Sequence, residues 1–486
     1  MSATFRSRPT ETRWGNSELL LALATSLIVL GVYLFSIAPD LTWANAAPDG
    51  VELVTASATL GIPHPPGYPT YVILGKIFSW LPLGTVAFRY NLFSAVATAG
   101  AAGILVLAIR AHHSRIRPAA AMSASLLFAF APLVWSQAVV AEIYGLNLLV
   151  LTVFLLIWLR RGATFWSGFW LGLAMTTHLT SIFFLPALLF AGGRNLLRPI
   201  AGMIAGLFPL LLLPLLAAGN SPVMWGEPTS LHAWWWLVSG RLYAANLRPA
   251  LDFDHLAGII RALALGPAAI AGASHAMAEP PRLEELVRPG EQRARRLLVF
   301  TASIYIAFAL LYHTPDAAVN LLPALMILSL LIAPVLDRLG KAALLLPLVL
   351  VTLTFSARDL SGEREVRPNA LRLLNEAPED ALLLTPGNRT IFTIFYFQHI
   401  ENVRSDIRVA DANLFAFDWY RDQLREQHPE LFVPEGDDLA AFQRVNAESR
   451  PFCLADLVPS PGASADDRRI ARLGSVASPQ LECINR

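Results

Sequence analysis

Charge is scarce in this sequence. Of 486 residues only 15% are Asp, Glu, Lys or Arg, 55% are hydrophobic, and the mean hydropathy is +0.50. That balance excludes a soluble globular domain for most of the chain and implies a polytopic membrane protein. Net charge is scarce too, 37 basic residues against 36 acidic, which removes the electrostatic argument for a nucleic-acid partner. Cysteine is confined to Cys453 and Cys483, thirty positions apart near the C-terminus. A disulfide and two free thiols both fit that spacing, and the compartment decides between them. The chain shows no internal repeat, no low-complexity tract and no trace of the inverted repeats of many transporters. Its histidines offer no pair at metal-ligand spacing, which argues against a zinc site.

Long apolar runs are what it has in abundance, together with 12 Trp and 26 Phe suited to lipid-facing surfaces and interfacial belts. The first run, Leu19 to Ala38, is long enough to span. Arg6, Arg8 and Arg13 precede it without nearby acids and place the N-terminus in the cytoplasm. Ala44-Asn45-Ala46 has the form of a signal cleavage site but lies beyond the end of the run, so a retained helix is expected. A long outer loop follows, Asp40 to Val86, with Tyr71 to Leu81 expected as a helix lying at the interface. Further spans are Phe88 to Ile109, Ala119 to Gln137 and Ala141 to Leu159, with Arg110, Arg115, Arg117, Arg160 and Arg161 marking cytoplasmic ends. Thr164 to Ala191 is bracketed by arginines, Arg194 and Arg198 on the far side, and reads as two short helices meeting near His178.

Leu197 to Ala217 crosses outward, and Gly219 to Asp254 forms a second outer loop. His255 to Ala273 is a weaker span leading to a basic segment with Arg282, Arg288, Arg293, Arg295 and Arg296. Leu297 to Tyr312, Ala317 to Leu336 and Ala342 to Ser356 complete a bundle of about eleven crossings. From Ala357 the composition becomes that of a soluble domain, with strands expected at Ala381 to Leu384 and Ile407 to Ala410 and a helix at Phe417 to Gln427. The expected architecture is therefore mainly α: a membrane helix bundle over residues 1–356, then a small α/β extracytoplasmic domain over 357–486.

Acids near the outer ends of spans fall in few places: Asp49 and Glu52, Glu142, Glu227 and Asp316. A partly desolvated carboxylate at a membrane surface has a raised pKa and is a better general base near neutral pH. Solvated helix ends would carry the same residues. Asp49 and Glu52, three apart, project from one face if a helix begins there, and an acidic helix N-terminus accounts for them equally well. His64 sits among Pro63, Pro65, Pro66 and Pro69, which restrict the backbone and hold the imidazole and Tyr68 at little entropic cost. A rigid corner in the chain would look the same. Outer cations are few, Lys76, Arg89, Arg241 and Arg248, and Arg89 and Arg241 are the candidates for a lipid phosphate or, failing that, interfacial anchors. Trp234-Trp235-Trp236 reads as an interfacial belt rather than a sugar platform.

The D-x-x-E of Asp49 and Glu52 followed by His64-Pro65-Pro66-Gly67-Tyr68-Pro69 resembles the first outer loop of the protein O-mannosyltransferase-like membrane family (transmembrane protein 260-like). The resemblance continues through Ala141-Glu142-Ile143-Tyr144-Gly145-Leu146-Asn147, Thr177-His178-Leu179-Thr180 ahead of Pro186, Trp225-Gly226-Glu227-Pro228 and Asp418-Trp419-Tyr420. It implies a GT-C type glycosyltransferase with its site on the outer face. The donor it implies is a polyprenyl-phosphate-linked sugar, mannose or another hexose, and the acceptor a hydroxyl of a protein or glycan. An acid of the first outer loop, matched by Asp49, is the implied catalytic centre, with Glu142 as an assisting carboxylate. The neighbouring protein O-mannosyltransferases have two adjacent acids where this chain spaces Asp49 and Glu52, which leaves open which of the two is the base. His64, Tyr68, Tyr144, Asn147, His178, Trp225 and Glu227 are the implied substrate-binding residues beside Arg89 and Arg241. No cofactor is required for inversion by a general base, although Asp49 and Glu52 could recruit a divalent metal.

A transporter or flippase of a lipid-linked substrate is the competing expectation. It needs ionisable groups near mid-membrane, whereas the acids here gather at one surface. A noncatalytic scaffold displaying the C-terminal domain leaves the proline-rich histidine loop without a purpose.

Overall fold

The computed structural model describes residues 14–46, 49–191, 195–248, 253–264, 289–457 and 480–484. Arg6, Arg8, Arg13, Arg194, Arg282 and Arg288, used above to orient the spans, lie outside them, as does the second half of the expected span 255–273. Among the described residues seven helices are long and apolar enough to cross a membrane, or eight if one bent pair counts as a span. The protein is therefore a multi-pass membrane protein built as a helix bundle.

Helix α1 (Asn16–Ser36) keeps Leu20, Leu23, Leu27 and Phe35 exposed, a surface suited to lipid rather than water. Its first turn carries Glu18, which meets Arg110 at 3.2 Å from the last turn of another helix. Short helices α2 (Asp49–Thr59) and α3 (Pro69–Phe78) separate α1 from that partner, α4 (Val86–His112), which Thr85 caps by accepting from the Phe88 N–H at 3.1 Å. The antiparallel run of α1 and α4 brings Glu18 and Arg110 to one end of the bundle and the α2–α3 loop to the other. Arg117 faces Asp337 at 3.7 Å and Arg160 lies over the Trp14 ring at 4.7 Å, so the basic ends of several spans share the end marked by Glu18. Helix α3 buries Tyr71 and Val72 and leaves Leu74 and Ile77 exposed, the amphipathic form of the expected interfacial helix.

The third expected span is a helix pair, α5 (Pro118–Ala129) and α6 (Pro132–Ala138), bent by 66° where Pro132 cannot continue the hydrogen-bond ladder. Helix α7 (Tyr144–Arg161) follows, then α8 (Phe165–Met175) and a second short apolar helix over Leu179–Ala191, with His178 at the break as the arginine pattern predicts. Asn147 of α7 holds that break. The two hydrogens of its Nδ2 are shared among the Ala174 carbonyl at 3.1 Å, Thr177 Oγ1 at 2.9 Å and Ser181 Oγ at 2.8 Å.

Helix α8 packs on the helix Leu197–Gly206 through two glycine pairs, Gly168 with Gly172 and Gly202 with Gly206. A Cβ on Gly168 would stand 1.9 Å from the Pro199 carbonyl, and one on Gly202 1.9 Å from that of Phe165. Only residues without a side chain allow two backbones to approach so closely in a membrane.

The C-terminal region carries a four-stranded sheet of order β2-β1-β3-β4, formed by β1 (Leu382–Thr385), β2 (Arg408–Asp411), β3 (Phe452–Asp456) and β4 (Gln480–Ile484). Strand β1 is parallel to β2 and β3, and β4 is antiparallel to β3, where Cys453 pairs with Cys483 in register and the two form a disulfide. The expected strands and the helix Asp418–Gln427 are all present. This domain rests on the bundle instead of hanging from it. Its helix Asn388–His399 packs on α2, and Arg367 joins Asp40 at 2.5 Å to Glu401 at 2.6 Å.

Candidate active site

Helix α2 is buried along its whole length from Gly50 to Ser57, wedged between the bundle and the helix Asn388–His399. A Cβ on Gly50 would stand 2.7 Å from the Ala141 carbonyl, so the acidic start of α2 is pressed against the turn that carries Glu142. The loop after α2 is pinned by the Ile62 N–H, which donates to the Val223 carbonyl at 2.8 Å, and by the Trp225 N–H, which returns to the Ile62 carbonyl at 3.0 Å. The Pro65–Pro66 peptide is cis, and Gly67 and Tyr68 have φ of 85° and 40°. His64 lies over the first turn of α2, where Glu52 holds it.

His64 and Glu52 form the centre. One Glu52 oxygen accepts the His64 backbone N–H at 2.7 Å, and the other lies 2.9 Å from Nδ1 of the ring. On the opposite side Nε2 meets the Tyr68 hydroxyl at 3.2 Å and Asp49 Oδ2 at 4.0 Å. Glu52 is 0% exposed, whereas the Asp49 side chain is 39% exposed. The two acids are thus placed differently: Glu52 anchors the histidine, and Asp49 remains partly exposed beside it. The rings of Tyr68, Tyr243 and Trp225 meet the imidazole edge to face at 5.2, 6.3 and 6.5 Å.

Burial alone lowers the affinity of His64 for its proton, but the charges of Glu52 and Asp49 outweigh it and raise the pKa to about 9. Burial raises Asp49, with His64 opposing and Glu52 adding to the rise. Glu142 is driven well above the carboxylate range by burial, then by Asp49 and Asp316. Ser94 fixes it, its Oγ accepting the Glu142 N–H and donating to the Glu142 carbonyl, both at 3.1 Å. Asp316, raised by burial and by Asp49, belongs to the same field.

The expected residues divide into three groups. Asp49, Glu52, His64, Tyr68 and Trp225 are brought together, with Glu142 in their field. Tyr144, Asn147 and His178 line an adjoining cavity with Thr180 and Asn320, where the Tyr144 and His178 rings lie 5.6 Å apart. The others stand elsewhere. Arg89 donates from Nε, Nη1 and Nη2 to the carbonyls of Leu83, Ser79 and Gly84 at 2.9, 2.6 and 3.2 Å and so clasps the 79–84 loop. Glu227 is half-buried and raised by burial and by the charges of Glu426 and Asp422 of the C-terminal domain. Arg241 is exposed at the start of the short helix Arg241–Asn246 that presents Tyr243. Two members escaped the sequence reading of the site, Tyr243 and Asp316. Asp316 was visible as an outer acid, but nothing local showed that hydrogen bonds from Arg248 to Leu311 and from His313 to Asn246 bring its segment beside Tyr243.

Asp49, Glu52 and His64 each offer one ligand atom, all within 4.8 Å of one another. A divalent cation could be held there, in competition with the His64–Glu52 hydrogen bonds.

Residues 49–192 match the model of the Protein O-mannosyl-transferase TMEM260 N-terminal domain, and residues 366–431 match that of TMEM260-associated domain 2. The first match starts at Asp49 and contains Glu52, His64 and Glu142; the second contains Trp419. The chain is 22% identical over 496 residues to Protein O-mannosyl-transferase TMEM260 of Mus musculus, covering 87% of this chain and 66% of that one. It is 21% identical over 504 residues to Protein O-mannosyl-transferase tmem260 of Dictyostelium discoideum, covering 84% and 60%. The chain therefore spans somewhat less than two thirds of the length of these curated relatives. Among solved structures it is similar to ArnT from Cupriavidus metallidurans bound to undecaprenyl phosphate, with TM-score 0.54, 14% identity and coverage of 97% of this chain and 98% of that one. ArnT in the apo state gives TM-score 0.56, 14% identity and coverage of 96% and 98%. In sequence the chain resembles the TMEM260 protein O-mannosyl-transferases, and in fold it is a GT-C type membrane bundle of the ArnT kind with a small α/β domain at its C-terminal end.

Proposed function

We propose that this chain is an integral-membrane glycosyltransferase that moves a hexose, mannose first among candidates, from a polyprenyl-phosphate donor to a Ser or Thr hydroxyl of a protein. The observation that carries the reading is the division of labour between Glu52, fully buried on His64, and Asp49, open beside it. Asp49 takes the proton of the acceptor hydroxyl as its oxygen bonds to the anomeric carbon. The bond from that carbon to the phosphate oxygen breaks with its electron pair, releasing polyprenyl phosphate, and the configuration inverts. The leaving phosphate monoester is a weak base and needs no general acid. His64 offsets the charge of the two acids, and Glu142 stands behind Asp49 as the assisting carboxylate. Arg241, exposed on the rim two residues from Tyr243, is the cation offered to the donor phosphate. No metal is required by this scheme, and a cation held by Asp49, Glu52 and His64 would serve to bring the phosphate to an acidic site.

The basic ends of α4, α5 and α7 gather at the end of the bundle away from the site, which supports a cytoplasmic N-terminus and an extracytoplasmic C-terminal domain. The names of the curated relatives and the lipid bound to ArnT support the donor and acceptor classes. The purified protein, given polyprenyl-phosphate-linked mannose and a Ser/Thr peptide, is expected to release polyprenyl phosphate and form mannosyl peptide in equal amounts. Movement of the lipid across vesicles without either product would show a flippase instead.

A further inference from the structure

Trp225 stands between the catalytic loop and the C-terminal domain. Its ring meets His64 edge to face at 6.5 Å on one side, and on the other it meets Trp419 at 5.5 Å and Phe417 at 6.4 Å. Phe417 and Trp419 stack on each other at 5.4 Å, and Trp236 closes the group against Phe417 at 6.3 Å. The backbone of the same strip is held from both directions. Ile62, two residues before His64, exchanges hydrogen bonds with Val223 and Trp225, while Gln423 Nε2 donates to the Met224 carbonyl at 2.7 Å. Gln423 and Trp419 both lie on the helix Asp418–Gln427.

We propose that the C-terminal domain is part of the catalytic apparatus and that Trp419 is a positioning residue acting on His64 through Trp225. The inference rests on the reading of Asp49 as the base. Glu52 fixes Nδ1 and the backbone of His64, which leaves the ring free to rock about that bond. Tyr68, Tyr243 and Trp225 are the three aromatic walls that stop it. Tyr68 belongs to the loop itself and Tyr243 to the second outer loop, but Trp225 is only 5% exposed because Phe417 and Trp419 back it. Without Trp419 the Trp225 ring has room to tilt away, and the 4.0 Å relation of Nε2 to Asp49 loosens. Contacts such as the helix Asn388–His399 on α2, Arg367 with Asp40 and the Tyr396 hydroxyl accepting the Ala87 N–H at 3.3 Å seat the domain on the bundle and are not made to the imidazole itself.

The test uses the full chain in detergent with undecaprenyl-phosphate-linked mannose and a Ser/Thr peptide. Trp419→Ala is expected to lower kcat on the order of 10- to 100-fold with donor KM changed less than about 3-fold, the cost of misplacing a catalytic group by a fraction of an ångström to an ångström. Trp419→Phe is expected to restore most of kcat, and Gln423→Ala to give a smaller fall of the same kind. A second readout needs no turnover: the Cε1–H resonance of His64, isotopically labelled and assigned with His64→Gln, is recorded by NMR at one fixed pH. With the Trp225 ring packed against it the resonance carries a ring-current shift, which is expected to shrink, with a broader line, in Trp419→Ala and to return with Trp419→Phe. Unchanged kcat or an unchanged His64 resonance in folded Trp419→Ala would overturn the inference. So would an equal loss of kcat, donor binding and melting temperature in Trp419→Ala and Trp419→Phe, which is structural damage only. If the wild type transfers no mannose, the proposed function fails, and the His64 resonance still decides whether Trp419 positions that ring.

Discussion

Glu52 holds His64 with both carboxylate oxygens, one accepting the backbone N–H at 2.7 Å and the other 2.9 Å from Nδ1. A carboxylate so engaged, with none of its surface exposed, is closed to an incoming molecule. On the proposed reading, proton acceptance therefore falls to Asp49, and Glu52 acts by orienting the imidazole that faces it.

Glu52→Gln therefore tests orientation apart from charge at the reacting centre. The amide keeps one acceptor but cannot satisfy both His64 donors, so kcat is expected to fall on the order of 10²-fold with donor KM little changed. Glu52→Ala adds the loss of a buried partner, about 1–3 kcal/mol of stability. Steady-state rates and thermal unfolding of the two purified variants separate these effects, and a Glu52→Gln enzyme with normal kcat would refute the assignment.

The charge on His64 makes a pH prediction with a definite sign. Its folded-state pKa, about 9, lies above the ordinary 6.5, so the stability it contributes is fully present below pH 6.5 and is lost as pH rises through about 9. The melting temperature of the wild type is expected to decline over that window more steeply than that of His64→Gln. Parallel declines would mean that His64 is not held protonated. The pH profile of kcat/KM is expected to lose its alkaline limb in the same variant.

The contact of α8 with the helix Leu197–Gly206 depends on carbonyls standing where side chains would be. Gly202→Leu forces atoms toward the Phe165 carbonyl, 1.9 Å from the Cβ position, and is expected to destabilise by about 1–3 kcal/mol or more. Gly31→Ala in α1, where nothing lies within 4 Å of the new Cβ, is expected to be neutral or slightly stabilising. Thermal unfolding in detergent compares the two directly, and equal stability would count against the close approach.

The bundle was legible in the sequence because its signals are local: apolar run lengths, and arginines at span ends. The break at His178 followed from arginines on both sides of one run, and the small α/β region at the C-terminal end from its change of composition. The roles of Asp49 and Glu52 were not legible, since three-residue spacing on a helix says that two acids share a face and nothing about which one a distant loop covers. The surroundings of Arg89 were hidden for a related reason. A rare cation looks free in a sequence, whereas three of its donors here go to carbonyls five to ten residues away. Tyr243, Asp316 and Trp419 reach the site only through contacts between segments far apart in the sequence, and no local pattern marks such contacts.

Transfer of labelled mannose from its polyprenyl phosphate to a Ser/Thr peptide, measured side by side for wild type and Asp49→Asn, tests the central assignment most directly. Removing a general base while keeping its shape is expected to lower kcat about 10²- to 10⁴-fold, with the donor still bound and the protein still folded. Near-normal turnover by Asp49→Asn would contradict the account.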